Sequence, residues 1–109
     1  MTWKINFFHT PRGDSPVQEF IEQQPKNIMA KITVAIDMLE SYGPFLKPPF
    51  INKIQTNLLE LRVSKKQPVR IFYTIKNNQF HLLHVFKKKS QKIPSKEIKI
   101  ALDRMRQII

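Results

Sequence analysis

A chain of 109 residues, 41% of them apolar, is long enough to build one core and short for two, so a single domain over residues 1–109 is expected. No window approaches the ~18 uncharged apolar residues of a membrane span, and MTWKINFFHT lacks the basic-then-apolar order of a secretion signal. With no cysteine, disulfides and thiolate metal sites are excluded, and a soluble cytoplasmic protein is expected. The formal charge is +11, and it is unevenly spread. Residues 1–55 hold six Lys/Arg against five Asp/Glu, net +1, whereas residues 56–109 hold thirteen against three, net +10. Such a local field draws a polyanion, with nucleic acid ahead of an anionic membrane surface.

Trp3, Ile5 and Phe7 alternate with Lys4 and Asn6, which predicts a half-buried strand over 2–8. Pro11 and Gly13 break it. Ser15, Pro16 and Gln18 make a capping-box pattern for a short helix through Gln24, with Val17, Phe20 and Ile21 turned inward. Ile28, Ile32, Ala35, Ile36 and Leu39 recur at helical spacing until Gly43-Pro44, so a second amphipathic helix spans 26–42. GPFLKPPF is then an irregular connector.

Leu59, Leu61 and Val63 alternate with Glu60, Arg62 and Ser64, and Val69, Ile71, Tyr73 and Ile75 alternate with Arg70, Phe72 and Thr74. These are two hairpin strands. Asn77-Asn78 supplies a two-residue turn, because Asn tolerates positive φ, into a third antiparallel strand over 79–86. After the basic run at 87–92, Pro94-Ser95 resets the chain for a last helix. Ser95 is its cap, and Ile98, Ala101 or Leu102, Met105 and Ile109 form its apolar stripe. The order is β-α-α-β-β-β-α, with a short extra strand near 50–55 left open. It gives an α+β fold whose helices lie on one face of a small antiparallel-rich sheet.

Pairing the strands around the 65–67 loop sets Arg62 opposite Arg70, with Glu60, Phe72 and Thr74 on the same face. Continuing across the Asn turn adds His81, Leu83 and Val85 to that face and puts His84 on the core side beside Tyr73. Neighbouring arginines repel unless an anion lies between them, either a phosphate-sized ligand or Glu60, and phosphate is the sharper reading. Their plain alternative is a pair of solubilising surface arginines. Phe72 is evenly a core aromatic or a platform for an RNA base. His81 is weighed as an acid–base group and set aside as a tolerated strand histidine. His9, His81 and His84 show no ligand spacing with a carboxylate, so no metal is expected. Two glycines cannot build a phosphate loop.

RNA cleavage without metal asks little of a protein, since the 2′-hydroxyl is the nucleophile. The site must hold it in line, neutralise the phosphorane and manage two protons. Arg62, Arg70 and Lys88 are the candidate catalytic group. A lysine acting as acid or base would have its proton affinity lowered by crowding with the arginines.

The segments Leu59-Glu60-Leu61-Arg62, Val69-Arg70-Ile71-Phe72-Tyr73, Leu82 through Pro94 (LLHVFKKKSQKIP), Glu97-Ile98 and Ala101 form a linked series. It resembles the phage-derived, HigB-type branch of the RelE/ParE toxin superfamily, closely in the C-terminal half and by element order in the first half. The resemblance implies a type II toxin, a metal-independent mRNA endoribonuclease with no cofactor that cuts mRNA in the 30S A site of the ribosome. It also implies a heteromeric complex with a helix-turn-helix (HigA-like) antitoxin and no membrane partner. It assigns Arg62 and Arg70 to the scissile phosphate, and Lys88, Lys89 and Lys92 to the basic group after the last strand. Phe72, Lys65, Lys66, Lys87, Lys89, Gln91 and Lys92 make up the expected RNA contacts. Val69 stands where the family pattern has tyrosine and Val85 where it has glycine. The His and Tyr pair that some RelE relatives carry near the C-terminus is missing. The same fold hosts gyrase inhibition of the ParE kind, so that activity and non-catalytic RNA binding stand as alternatives.

Overall fold

The computed structural model describes residues 2–64, 66 and 68–108. Strand β1 (Lys4–Phe7) leads to helices α1 (Pro16–Glu22) and α2 (Lys26–Tyr42). A 3-10 turn (Gly43–Phe45) follows, then strands β2 (Ile51–Gln55), β3 (Leu58–Arg62), β4 (Val69–Lys76) and β5 (Gln79–Lys87), and finally α3 (Ser95–Arg106). The fold is α+β, with a five-stranded mixed sheet of order β1-β5-β4-β3-β2. β1 runs parallel to β5 and the other pairs are antiparallel. The short strand left open in the sequence is present as β2, one of the two sheet edges. No helix among the described residues is long and apolar enough to cross a membrane.

α2 spans the expected 26–42, because its apolar residues hold one stripe: Ile28, Ile32, Ala35 and Leu39 are buried. With Val17 and Ile21 of α1 they pack on Leu61, Val69, Ile71, Tyr73, Leu82 and Val85 of the sheet. α3 does not join them. Its Ala101, with Ile98, Leu102 and Met105, packs on Leu58, Phe72, Leu83 and Phe86. On β3 and β4 these are the alternate residues, which project from the opposite face. The expectation of helices on one face is therefore corrected to a sheet covered on both faces. An apolar stripe demands burial but names no partner face, and β4 supplies two apolar faces to choose from.

Two caps also differ from the sequence reading. Ser15 precedes α1 but makes no side-chain capping bond, and Pro16 opens the helix with its preset φ. Pro94, not Ser95, occupies the position before α3, and Ser95 is already helical. Ile109 of the expected stripe lies outside the described residues. The Asn77-Asn78 turn does take positive φ at both residues (54° and 61°).

The Trp3 amide donates to the Glu40 carbonyl at 2.9 Å, and the Trp3 ring meets Phe45 edge-on at 5.9 Å. This ties the chain ahead of β1 to the end of α2. The corner works only with glycine at 43, where φ is +53° and a β-carbon would fall on the Trp3 indole. Gly43→Ala meets both backbone strain and overpacking, at a combined cost of about 2 kcal/mol or more. Thermal unfolding should show a Tm loss of about 10 °C, and an unchanged Tm would contradict this view of the corner.

Candidate nucleic-acid interface

The β3–β4 pairing places Leu61 opposite Ile71, Glu60 opposite Phe72 and Arg62 opposite Arg70, the register anticipated from the sequence. Between β4 and β5 the ladder slips by one residue. Thr74 pairs with His81 and Tyr73 with Leu82, but Phe72 pairs with His84 and Arg70 with Phe86, leaving Leu83 as a bulge. From His84 onward every β5 side chain changes face relative to an uninterrupted ladder. Val85 therefore lies in the α1–α2 core. His84 and Phe86 stand beside Phe72, with ring centroids 6.5 and 5.1 Å from it. The expected places of His84 and Val85 are thus exchanged, while His81 sits at the far, turn end of the sheet.

The bulge also builds a polar latch for α3. His84 Nε2 lies 2.7 Å from Glu97 Oε1, and the Arg104 guanidinium donates to the Leu83 carbonyl at 2.9 Å and reaches His84 Nδ1 at 3.3 Å. A cation can only donate, so Nδ1 is the acceptor and the Nε2–H donates to Glu97. Burial pushes the His84 pKa below its ordinary 6.5. The Glu97 hydrogen bond pulls it back and Arg104 lowers it again.

At the other end of this face Glu60 is only 1% exposed and lies between the two arginines. The Arg62 Nε–H donates to Glu60 Oε1 at 3.3 Å, and Arg70 Nε stands 3.7 Å from Oε2, an ion pair without a hydrogen bond. Between phosphate and Glu60 as the anion that separates the arginines, the structure supplies Glu60. Burial lowers the Arg70 pKa, Glu60 opposes that and Arg62 adds to it. The guanidinium nonetheless stays charged at any working pH. The Arg62 side chain is 39% exposed and that of Arg70 12%.

Arg70 joins two depressions. One, of about 280 Å³, is lined by Pro49, Phe50, Arg62, Val63, Ser64 and Arg70. The other, of about 390 Å³, is lined by Pro68, Arg70, Lys88, Lys89, Ser90 and Gln91. The Lys88 amide donates to the Pro68 carbonyl, which holds the start of the basic segment against the base of the β3–β4 loop. Arg62, Arg70, Lys88, Lys89 and Gln91 thus share one basic surface, while Lys66, Lys87 and Lys92 are exposed outside these depressions. Lys65 lies outside the described residues. Phe72 is fully buried against Leu83 and Phe86, so its reading as a base-stacking platform is corrected to that of a core aromatic. No group of three His, Asp or Glu residues able to hold a metal ion occurs among the described residues.

The family model for phage-derived Gp49-like proteins matches residues 19–106, and the chain belongs to that family. The family is associated with RelE-like toxins of toxin–antitoxin systems, which points to an antitoxin as a partner. No curated protein matches the chain.

Burial of His84 within the latch makes stability depend on pH with a definite sign. The unfolded chain protonates His84 near 6.5 and the folded chain only below that, so in between the unfolded state binds more protons. Stability therefore climbs as pH rises through that window. His81, also lowered by burial, adds in the same direction. The Tm should rise from about pH 5 to about pH 7, and the rise should shrink in His84→Gln. An undiminished rise in that variant would contradict the latch.

Proposed function

We propose that this protein is a HigB-like toxin that cleaves messenger RNA on the ribosome without a metal, and that the Arg62–Arg70 end of the sheet is where the scissile phosphate binds. The observation that carries this reading is the cross-strand arginine pair lining one depression, with Arg70 also lining the adjoining depression of Lys88, Lys89 and Gln91, within the half of the chain that holds net +10. RNA brings its own nucleophile, so charge and alignment are most of what the protein must add.

In the proposed reaction the 2′-oxygen attacks phosphorus in line and its proton passes to water. The P–O5′ bond breaks, leaving a 2′,3′-cyclic phosphate and a 5′-hydroxyl. Arg62 and Arg70 meet the charge that grows on the non-bridging oxygens, where planar donors are worth most. Lys88 is the proton donor to the leaving 5′-oxygen, a role suited to an ammonium group beside the arginines. Lys89 and Gln91 hold the flanking backbone, and Lys66, Lys87 and Lys92 extend the positive surface to neighbouring phosphates. A helix-turn-helix antitoxin would hold the toxin inactive in a heteromeric complex.

The test is cleavage of mRNA on programmed ribosomes, together with growth inhibition on induction. Arg62→Ala and Arg70→Ala should each lower cleavage by about a hundred-fold and abolish toxicity. Arg70→Lys serves as the second variant because Arg70 is partly buried, and circular dichroism confirms folding. Toxicity retained in both folded arginine variants would overturn the reading. Stabilised gyrase–DNA cleavage complexes would replace it with gyrase poisoning, and salt-sensitive RNA binding without cleavage would replace it with a binding module.

A further inference from the structure

We propose that Glu60 is a positioning residue that aligns the two guanidinium groups as one clamp and trims their charge to match a single phosphodiester. The proposal rests on the function argued above and adds a residue to its site. Glu60 is almost wholly removed from solvent, and both of its oxygens face arginine Nε atoms, at 3.3 Å for Arg62 and 3.7 Å for Arg70. Anchoring a guanidinium by its Nε side sets the direction of the planar group while leaving amino donors for something else. Arg70 spends one of these on the Val69 carbonyl at 3.1 Å, which fixes its plane further. Arg62 and Arg70 then line the same depression from adjacent strands.

Two arginines and one carboxylate carry net +1, the magnitude of one phosphodiester charge. Without Glu60 the cross-strand pair would repel and splay apart. Stability alone does not account for the carboxylate. Burying a charge between two others carries a large desolvation cost, and an apolar set of equal volume is commonly as stable or more so. Nor is the arrangement fully satisfied, since Glu60 Oε2 and Arg70 Nε are both buried without a hydrogen-bond partner. A buried polar group left in that condition is not explained by packing alone.

Positioning and mere scaffolding lead to opposite results on RNA binding. In Glu60→Gln the protein gains a positive charge and loses the shared anchor. Binding of a short single-stranded RNA to the isolated chain should tighten by about three-fold, with a salt slope steeper by about 0.7. Cleavage at saturating programmed ribosomes should instead fall at least about ten-fold. The pH–rate profile should keep its shape at a lower plateau, because the group lost is not the one that exchanges protons. Glu60→Asp keeps the charge but cannot span both Nε atoms, so its salt slope should match the wild type while its rate falls.

Wild-type cleavage by folded Glu60→Gln or Glu60→Asp would overturn the proposal. So would a rate loss accompanied by weaker binding, which marks simple damage, or the disappearance of an acidic limb from the profile, which marks proton transfer. Should the wild type itself cleave nothing, the proposed function fails. The positioning claim is then read by NMR of the Arg62 and Arg70 Nε–H groups, assigned with Arg→Lys variants. Their resonances should lie away from the free-arginine position in the wild type and return to it in Glu60→Gln. Resonances that do not move would overturn the claim.

Discussion

One extra residue in β5 organises much of this molecule. Because side chains alternate with a period of two, the bulge at Leu83 sends Val85 into the core beneath α1 and α2 and turns His84 and Phe86 to the opposite face. There Phe86 closes over Phe72, and His84 meets Glu97 from α3. The bulge also frees the Leu83 carbonyl, which Arg104 takes up. Remove the slip and α3 loses its polar anchors while an imidazole is forced among aliphatic side chains.

Covering both sheet faces has a consequence for the basic end. The α3 cluster reaches Leu58, Phe72, Leu83 and Phe86 but does not include Arg62, Glu60 or Arg70, the next positions along β3 and β4. The apolar core packs against the strands up to the point where the charged group begins. A paired strand register and a carboxylate between two guanidinium groups then leave little freedom in where the positive charge sits. Such preorganisation is what electrostatic stabilisation of a transition state requires, because dipoles and charges already in place need no reorganisation during the reaction.

Much of this was legible in the sequence, for physical reasons that differ by element. α2 is long and strongly periodic, and Pro25 and Gly43 bracket it. The arginine pairing follows from the alternation on β3 and β4 and the short loop between them. The two asparagines announce their turn by accepting positive φ. The bulge was not legible, since residues 79–86 carry no glycine or proline to mark a break in the strand and the slip is decided by packing on two faces at once. The same missing information misplaced His84 and Val85 and assigned α3 to the wrong face. The buried state of Phe72 turns on α3 as well. Glu60 was visible as a neighbour of the arginines, but its position between both Nε atoms becomes evident only from side-chain geometry.

At the centre stands the claim that the protein contributes charge and alignment while the RNA contributes the attacking oxygen. A messenger carrying a single 2′-deoxynucleotide at the cleavage position, presented on programmed ribosomes to the wild-type protein, tests this most directly. Cleavage should vanish at that position, with binding of the protein to the ribosome unchanged. Cleavage of the deoxy-substituted message at the same position and rate would contradict it, since the nucleophile would then have to come from elsewhere.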